Sequence, residues 1–339
     1  RNMLGLVVSR EEFEHNLVKA AQLGLNAQLE GGEAAQLEAS HSTIQARLSR
    51  TEQEFPLNQL LRRCALDQFE ANCVVLAYAG VLDKKYEKLF AYLQDDITKK
   101  APPTSLAVQL FLPLEHTMEE YLSRFSRRDA FTALFDGERL TAGQLVLRPS
   151  VLEFLSTGTV APLPGLRLFD GAAERPGGPL VIGQELARQL DLLFGEPGEQ
   201  VICLSGGPGA GKRFQVEHLM ARTGRRCVFA SLDCDQQEER AREAVLIARL
   251  TGACLCCTHM ERQDSEDRQQ PPEEKLLQTI LGLELPGEKV FFLSQLPIRA
   301  QLSRLSIELE VPATTEEERM ALFQAFLGET PLEDGLTVE

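Results

Sequence analysis

Beyond residue 180 the chain alternates between short, almost wholly apolar runs and longer stretches whose apolar residues return at helical spacing. The short runs fall at 200–205, 226–231, 253–258, 290–293 and 307–311, and the longer ones predict helices over 186–194, 212–223, 239–250 and 273–283. A strand that is apolar on both faces must be covered on both, and helices between such strands supply the cover. The expected fold class is therefore α/β, a parallel sheet with helices on both faces.

Upstream the pattern is helical. Residues 10–52 are rich in Glu, Gln, Ala and Leu, carry no proline, and are interrupted at Gly31-Gly32. Their apolar positions are too irregular for a heptad seam, so 1–54 reads as a helical packing arm. Leu57, Leu60, Leu61, Cys64 and Leu66 then mark an amphipathic helix, 69–79 a second, and Tyr86, Leu89, Phe90 and Leu93 a third. Pro102-Pro103 breaks the chain, and Thr104 or Ser105 can cap the next helix through Val108, Leu110 and Phe111. Two strand-like pieces, 140–147 and 151–155, surround Arg148-Pro149; helices followed by a strand pair make 55–155 winged-helix-like. The Pro- and Gly-rich stretch 156–179 reads as a linker, leaving the α/β core at 180–313.

Composition narrows the function classes. The 339 residues allow two or three domains, and 43% hydrophobic with 25% charged residues is a globular composition. A formal net charge of -15 repels phosphate backbones, so nucleic acid is disfavoured as a partner. The basic spots Lys99, Lys100, Arg124, Arg127 and Arg128 read as solvated faces. No run of about eighteen apolar residues marks a membrane span, and a cytoplasmic location is expected. Eight cysteines lie mainly inside apolar runs and read as reduced, buried thiols. Cys254, Cys256, Cys257 and His259 lack a second Cys-x-x-Cys knuckle, so no metal site is assigned to them. The chain starts at Arg1 and stops at Glu339 soon after a strand and the start of a helix, and we read it as a piece of a longer protein.

The strongest chemical signal follows the run 200–205: Gly206-Gly207-Pro208-Gly209-Ala210-Gly211-Lys212-Arg213, with a predicted helix from Lys212. Glycines let a loop turn its N–H groups onto phosphate oxygens, the helix N-terminus adds its positive dipole end, and the lysine reaches the terminal phosphates. This pattern points to ATP. Magnesium fits less well, because Arg213 stands where the motif usually places a Ser or Thr hydroxyl, and an arginine supplies no oxygen ligand. Nor does the run 253–258 lead into an Asp-Glu pair; it continues Thr258-His259-Met260-Glu261. Glu261, or Asp264, could serve from a displaced loop, although a solvated carboxylate is the commoner meaning.

On these residues the module 180–327 resembles the AAA+ ATPases, a P-loop fold. Val181-Ile182-Gly183-Gln184 is similar to the segment that packs on adenine, which adds Ile182 and Gly183 to the cofactor-binding candidates. Phe292-Leu293-Ser294-Gln295 is similar to the fourth strand, with Ser294 or Gln295 in the place of a polar sensor. Arg304, ahead of Leu305-Ser306-Ile307, matches the position of an arginine finger and equally suits a solvated arginine; 314–339 matches the start of a helical lid. Phe69-Glu70-Ala71-Asn72, the stretch 82–100 and Pro103-Thr104-Ser105-Leu106-Ala107 resemble the variant winged-helix domain of ATPases encoded with phage-tail-like contractile injection systems. That resemblance implies ring self-association, assembly or remodelling of a particle with protein clients, and a degenerate first ATPase module before a complete one. Three readings stay open: an ATP-binding module with little or no hydrolysis, a structural or interaction protein with a relic loop, and an active ATPase using Glu261.

Overall fold

The computed structural model describes residues 54–111, 117–126, 130–137, 140, 143–161, 163–180, 183–232, 236–258, 289–298 and 306–327, with single positions at 39, 42, 43, 46, 277 and 280. The chain divides into two compact units, 1–159 and 160–339. Of the expected arm, only positions 39, 42, 43 and 46 are described, and they are helical.

The first unit is built from α1 (Pro56–Arg63), α2 (Gln68–Leu82), α3 (Lys84–Leu93), α4 (Thr104–Phe111), α5 (Met118–Arg124), a 3-10 turn (Thr132–Leu134) and α6 (Pro149–Thr157). Asp67 starts α2 with a capping box: its carboxylate accepts from the Glu70 N–H while Glu70 accepts from the Asp67 N–H. Arg124 pairs with both carboxylates and lies 5.7 Å from the Phe69 ring centroid. Burial works to raise the Asp67 carboxyl, but the Glu70 amide and the Arg124 guanidinium outweigh it and hold the group below its ordinary value. Phe69, Phe125, Phe131 and Phe135 run through the core with successive ring centroids 6.0, 5.4 and 5.3 Å apart.

Two expectations change here. The run 151–155 is the middle of α6, not a strand: Pro149 presets the first turn and Gly158, at φ 76, closes the last. Among the described residues, extended pairing in this unit is confined to two bridges, Pro103 with Gln144 and Phe135 with Leu147. The Thr104 hydroxyl does not cap its helix; it donates to the carbonyls of Leu140 (2.5 Å) and Gly143 (3.2 Å), tying α4 to that turn.

The second unit holds β1 (Leu166–Asp170), α7 (Gln184–Gly195), β2 (Gln200–Ser205), α8 (Lys212–Thr223), β3 (Arg226–Ser231), α9 (Gln237–Thr251), β4 (Cys254–Thr258), β5 (Lys289–Ser294), β6 (Ser306–Glu310) and α10 (Glu316–Leu327). Of the helix expected over 273–283, Leu277 and Ile280 are described, both helical and buried. The strands form one six-stranded sheet in the order β1-β3-β4-β5-β2-β6, parallel except for β1. The expected α/β class is the one observed. β1 lies inside the stretch read as a linker; its Leu166 and Phe169 are buried, and Phe169 meets Phe229 edge-on at 6.4 Å.

The crossovers β2-α8-β3 and β3-α9-β4 run in opposite directions across the sheet, so right-handed connections put α8 and α9 on opposite faces. On one face Leu186 and Leu190 of α7 and Val216, Leu219 and Met220 of α8 pack with Ile202, Leu204, Phe229, Cys256 and Phe291. On the other, α9 covers β3 and β4. β2, β4 and β5 are buried along their whole lengths, as their unbroken apolar runs require. Lys289, 2% exposed, is spared an unpaired burial because its ammonium donates to the Glu196 and Gly198 carbonyls at the end of α7, at 2.7 and 3.0 Å. The edge strand β6 turns Ser306, Glu308 and Glu310 outward, charges that discourage pairing with another chain.

Candidate functional site

Strand order fixes where a ligand can sit. β2 lies between β5 and β6, although the chain leaves it for β3 and returns only after two further strands. At such a reversal the connections diverge, and ligands bind in the crevice beyond the carboxyl ends of the strands there. The segment leaving β2 there is the glycine loop.

The root of the loop is tied to both neighbours. Ser205 accepts at its carbonyl from the Val311 N–H (2.7 Å), and the Gly206 N–H donates to the Ser294 carbonyl at the end of β5 (3.2 Å). A Cβ on Gly206 would come within 2.5 Å of the Val311 carbonyl oxygen, so only glycine fits that approach. Gly209 (φ 76) and Gly211 (φ 86) take left-handed conformations, and the Ala210 N–H closes a turn onto the Gly207 carbonyl at 3.2 Å. Ala210 itself is buried in the core cluster and anchors the loop. Gly207, Pro208 and Gly209 are exposed; among the described residues, the N–H groups of Gly207, Gly209 and Gly211 meet no backbone acceptor. Gly211 caps α8, whose positive end therefore faces the same open side.

Lys212 folds back over this loop. Its ammonium donates to the carbonyls of Gly206 (2.5 Å) and Gly207 (2.9 Å), while the side chain stays partly exposed. Arg213 behaves differently. Its Nε donates to Glu217 Oε1 at 2.9 Å, one turn along α8, and its guanidinium lies 4.8 Å from the Phe229 centroid. Glu217 also accepts from Arg167 of β1 at 3.2 Å, so the arginine after the loop lysine is part of a strut between α8 and the sheet edge.

Gly183 caps α7 in a left-handed conformation at φ 61. Its carbonyl accepts from the Ala187 N–H at 3.0 Å and from Nε2 of Gln215 at 3.4 Å. Gln215, 1% exposed on α8, thus joins the Gly183 turn to the helix that begins at the loop. Sequence reasoning passed over it; the only signal was an amide on the apolar face of a predicted helix. Ile182, Glu261, Arg304, His259 and Asp264 lie outside the described residues. Of the two sensor candidates, Ser294 donates its hydroxyl to the Leu296 carbonyl at 2.6 Å and Gln295 is exposed.

A magnesium ion at this loop would need oxygen ligands from the residues around it. The Thr258 hydroxyl donates to the Ala230 carbonyl at 3.3 Å, Ser294 is engaged as above, Ser205 is buried beneath the loop, and Arg213 carries no oxygen. Among the described residues none places a hydroxyl next to Lys212, and no group of three or more His, Cys, Asp or Glu gathers that could hold a metal ion, so the described residues do not make up the usual magnesium site. The cysteines Cys203, Cys227, Cys254, Cys256 and Cys257 are buried free thiols; burial, with a smaller push from Glu308, raises Cys203 to about 12.

Comparison with known proteins adds likenesses in sequence and in structure. A family model described as "Winged helix domain, variant" matches residues 13–133, within the first unit. No curated protein matches the chain. A solved structure described as "Structural Basis for Katanin Self-Assembly" aligns with a TM-score of 0.38 at 14% identity, with 52% of this chain and 66% of that one covered. The chain therefore spans a little less than two thirds of that structure's length. The first unit is similar to the variant winged-helix domain, in agreement with the expectation drawn from its helices and motifs.

Proposed function

We propose that the second unit binds ATP through residues 206–213, and that the chain acts as a nucleotide-binding, self-associating component in the assembly or remodelling of a protein complex, of the AAA+ type found with contractile injection systems. One observation carries the binding half of this reading: a loop with left-handed glycines leaves β2 at the reversal of strand order and ends on the N-terminus of α8, with Lys212 over it. Backbone N–H groups, a helix terminus and an ammonium group together make an anion site shaped for phosphates. In this reading Lys212 exchanges its two carbonyl partners for phosphate oxygens, which accept stronger, charge-assisted bonds. Hydrolysis by this unit is expected to be slow or absent, since phosphoryl transfer needs placed charges that the described residues do not supply. The assembly role rests on the family resemblance of the sequence, and the winged-helix match supports the front half of that resemblance.

The test is retention of labelled ATP by the purified chain. Losing charge-assisted bonds worth about 1.5–3 kcal/mol should weaken binding roughly ten- to hundredfold in Lys212→Ala. Equal binding by wild type and variant removes the premise. Sedimentation with and without ATP checks self-association, and a monomer in both conditions counts against a ring.

A further inference from the structure

Triphosphates are ordinarily gripped through their cation as well as their oxygens: a hydroxyl beside the loop lysine ligates magnesium, which takes few protein ligands and keeps several waters. Here that position is Arg213, whose guanidinium has donors and no acceptor. It is drawn along α8 to Glu217 (2.9 Å) and the Phe229 ring (4.8 Å), with Arg167 closing the same carboxylate from β1 (3.2 Å). The hydroxyls of Ser294 and Thr258 at the carboxyl edge of the sheet donate to the carbonyls of Leu296 and Ala230. Among the described residues, the loop N–H groups, the α8 terminus and the Lys212 ammonium are the groups set to grip a triphosphate, and all of them address phosphate oxygens.

On the reading that the loop binds ATP, we propose that it takes the triphosphate without needing a divalent cation, and that Arg213 has been turned from the ligand to a strut for the fold. A cation that gains no protein ligand adds nothing to the grip, and by neutralising part of the triphosphate charge it weakens the pull of the ammonium and the helix terminus. Free ATP is then held at least as tightly as its magnesium complex.

The experiment measures labelled ATP binding to the whole chain by equilibrium dialysis, in excess magnesium and in EDTA. Affinity in EDTA equal to or above that in magnesium supports the proposal, and a loss of more than about tenfold in EDTA overturns it. Arg213→Thr restores a hydroxyl and should make binding stronger in magnesium than in EDTA. Glu217→Gln breaks the strut without adding a ligand and should lose no affinity in EDTA. An Arg213→Thr protein that loses no affinity in EDTA overturns the assignment of the effect to the missing hydroxyl. Retention only with magnesium sinks this proposal and leaves ATP binding standing; no retention in either buffer sinks both.

Discussion

Gly206 and Gly207 are neighbours in one loop, yet their missing side chains mean different things. A Cβ on Gly206 would sit 2.5 Å from the Val311 carbonyl oxygen and 3.2 Å from the Val311 Cβ, whereas one on Gly207 would meet nothing within 4 Å. Gly206→Ala must therefore push β2 and the residue after β6 apart. It strains the Val311 N–H bond to Ser205 (2.7 Å) and the Gly206 N–H bond to Ser294 (3.2 Å). Overpacking of this kind costs roughly 1–3 kcal/mol, and a weakened hydrogen bond adds about 1 kcal/mol. In a unit of this size each kcal/mol lowers Tm by roughly 2–4 °C, so the expected fall is about 4–16 °C. Gly207→Ala is an exposed change in an unstrained backbone and should move Tm by no more than about 2 °C. Its methyl stands where phosphate oxygens would approach, so ATP binding should weaken while the fold is unchanged. Thermal melts by circular dichroism and dialysis with labelled ATP separate the two effects. A Gly206→Ala protein that melts with the wild type, or a Gly207→Ala protein that melts as early as Gly206→Ala, refutes the assignment.

Two other outcomes are expected. Lys289→Met keeps the bulk at the start of β5 but strips two charge-assisted bonds from the end of α7; the loss should be about 2 kcal/mol, and an unchanged Tm would show that desolvating the ammonium cancels its bonds. In the first unit the folded Asp67 carboxyl titrates below its unfolded value near 3.8, so its contribution is present above that pH and fades as pH falls through the lower, folded value. Asp67→Asn should accordingly melt below wild type at neutral pH and converge with it in acid, as melts across pH will show; a gap that persists in acid assigns the effect to something other than the charge.

The loop was legible in sequence because its signals are local: an apolar run, glycines at fixed spacing, a lysine and a helix start, all within residues 200–223. Every expected strand of the α/β core that is described appears within about a residue of its predicted limits, a margin usual for such boundaries. β1 was hidden because its flanks, Pro164-Gly165 and Gly171, carry turn vocabulary and its partner β3 lies some sixty positions on, about the reach at which only tertiary packing decides. The run 151–155 was misread because a short apolar stretch does not reveal its period, although Pro149 and Gly158 bracket it as a helix. The Arg213–Glu217 pair was visible as an i,i+4 spacing; the approach of Arg167 and Phe229, and the contact of Gln215 with Gly183, join distant segments and belong to the fold.

The strut on α8 bears on how this loop can change over evolutionary time. Glu217 is only 12% exposed at its side chain and is neutralised from two directions, by Arg213 and Arg167. Placing a hydroxyl at position 213 strips half of that neutralisation and uncovers the Phe229 ring, so such a variant meets a folding penalty along with any cation contact it gains. A neutral residue at 217 would relieve that penalty, so the two positions are expected to change together.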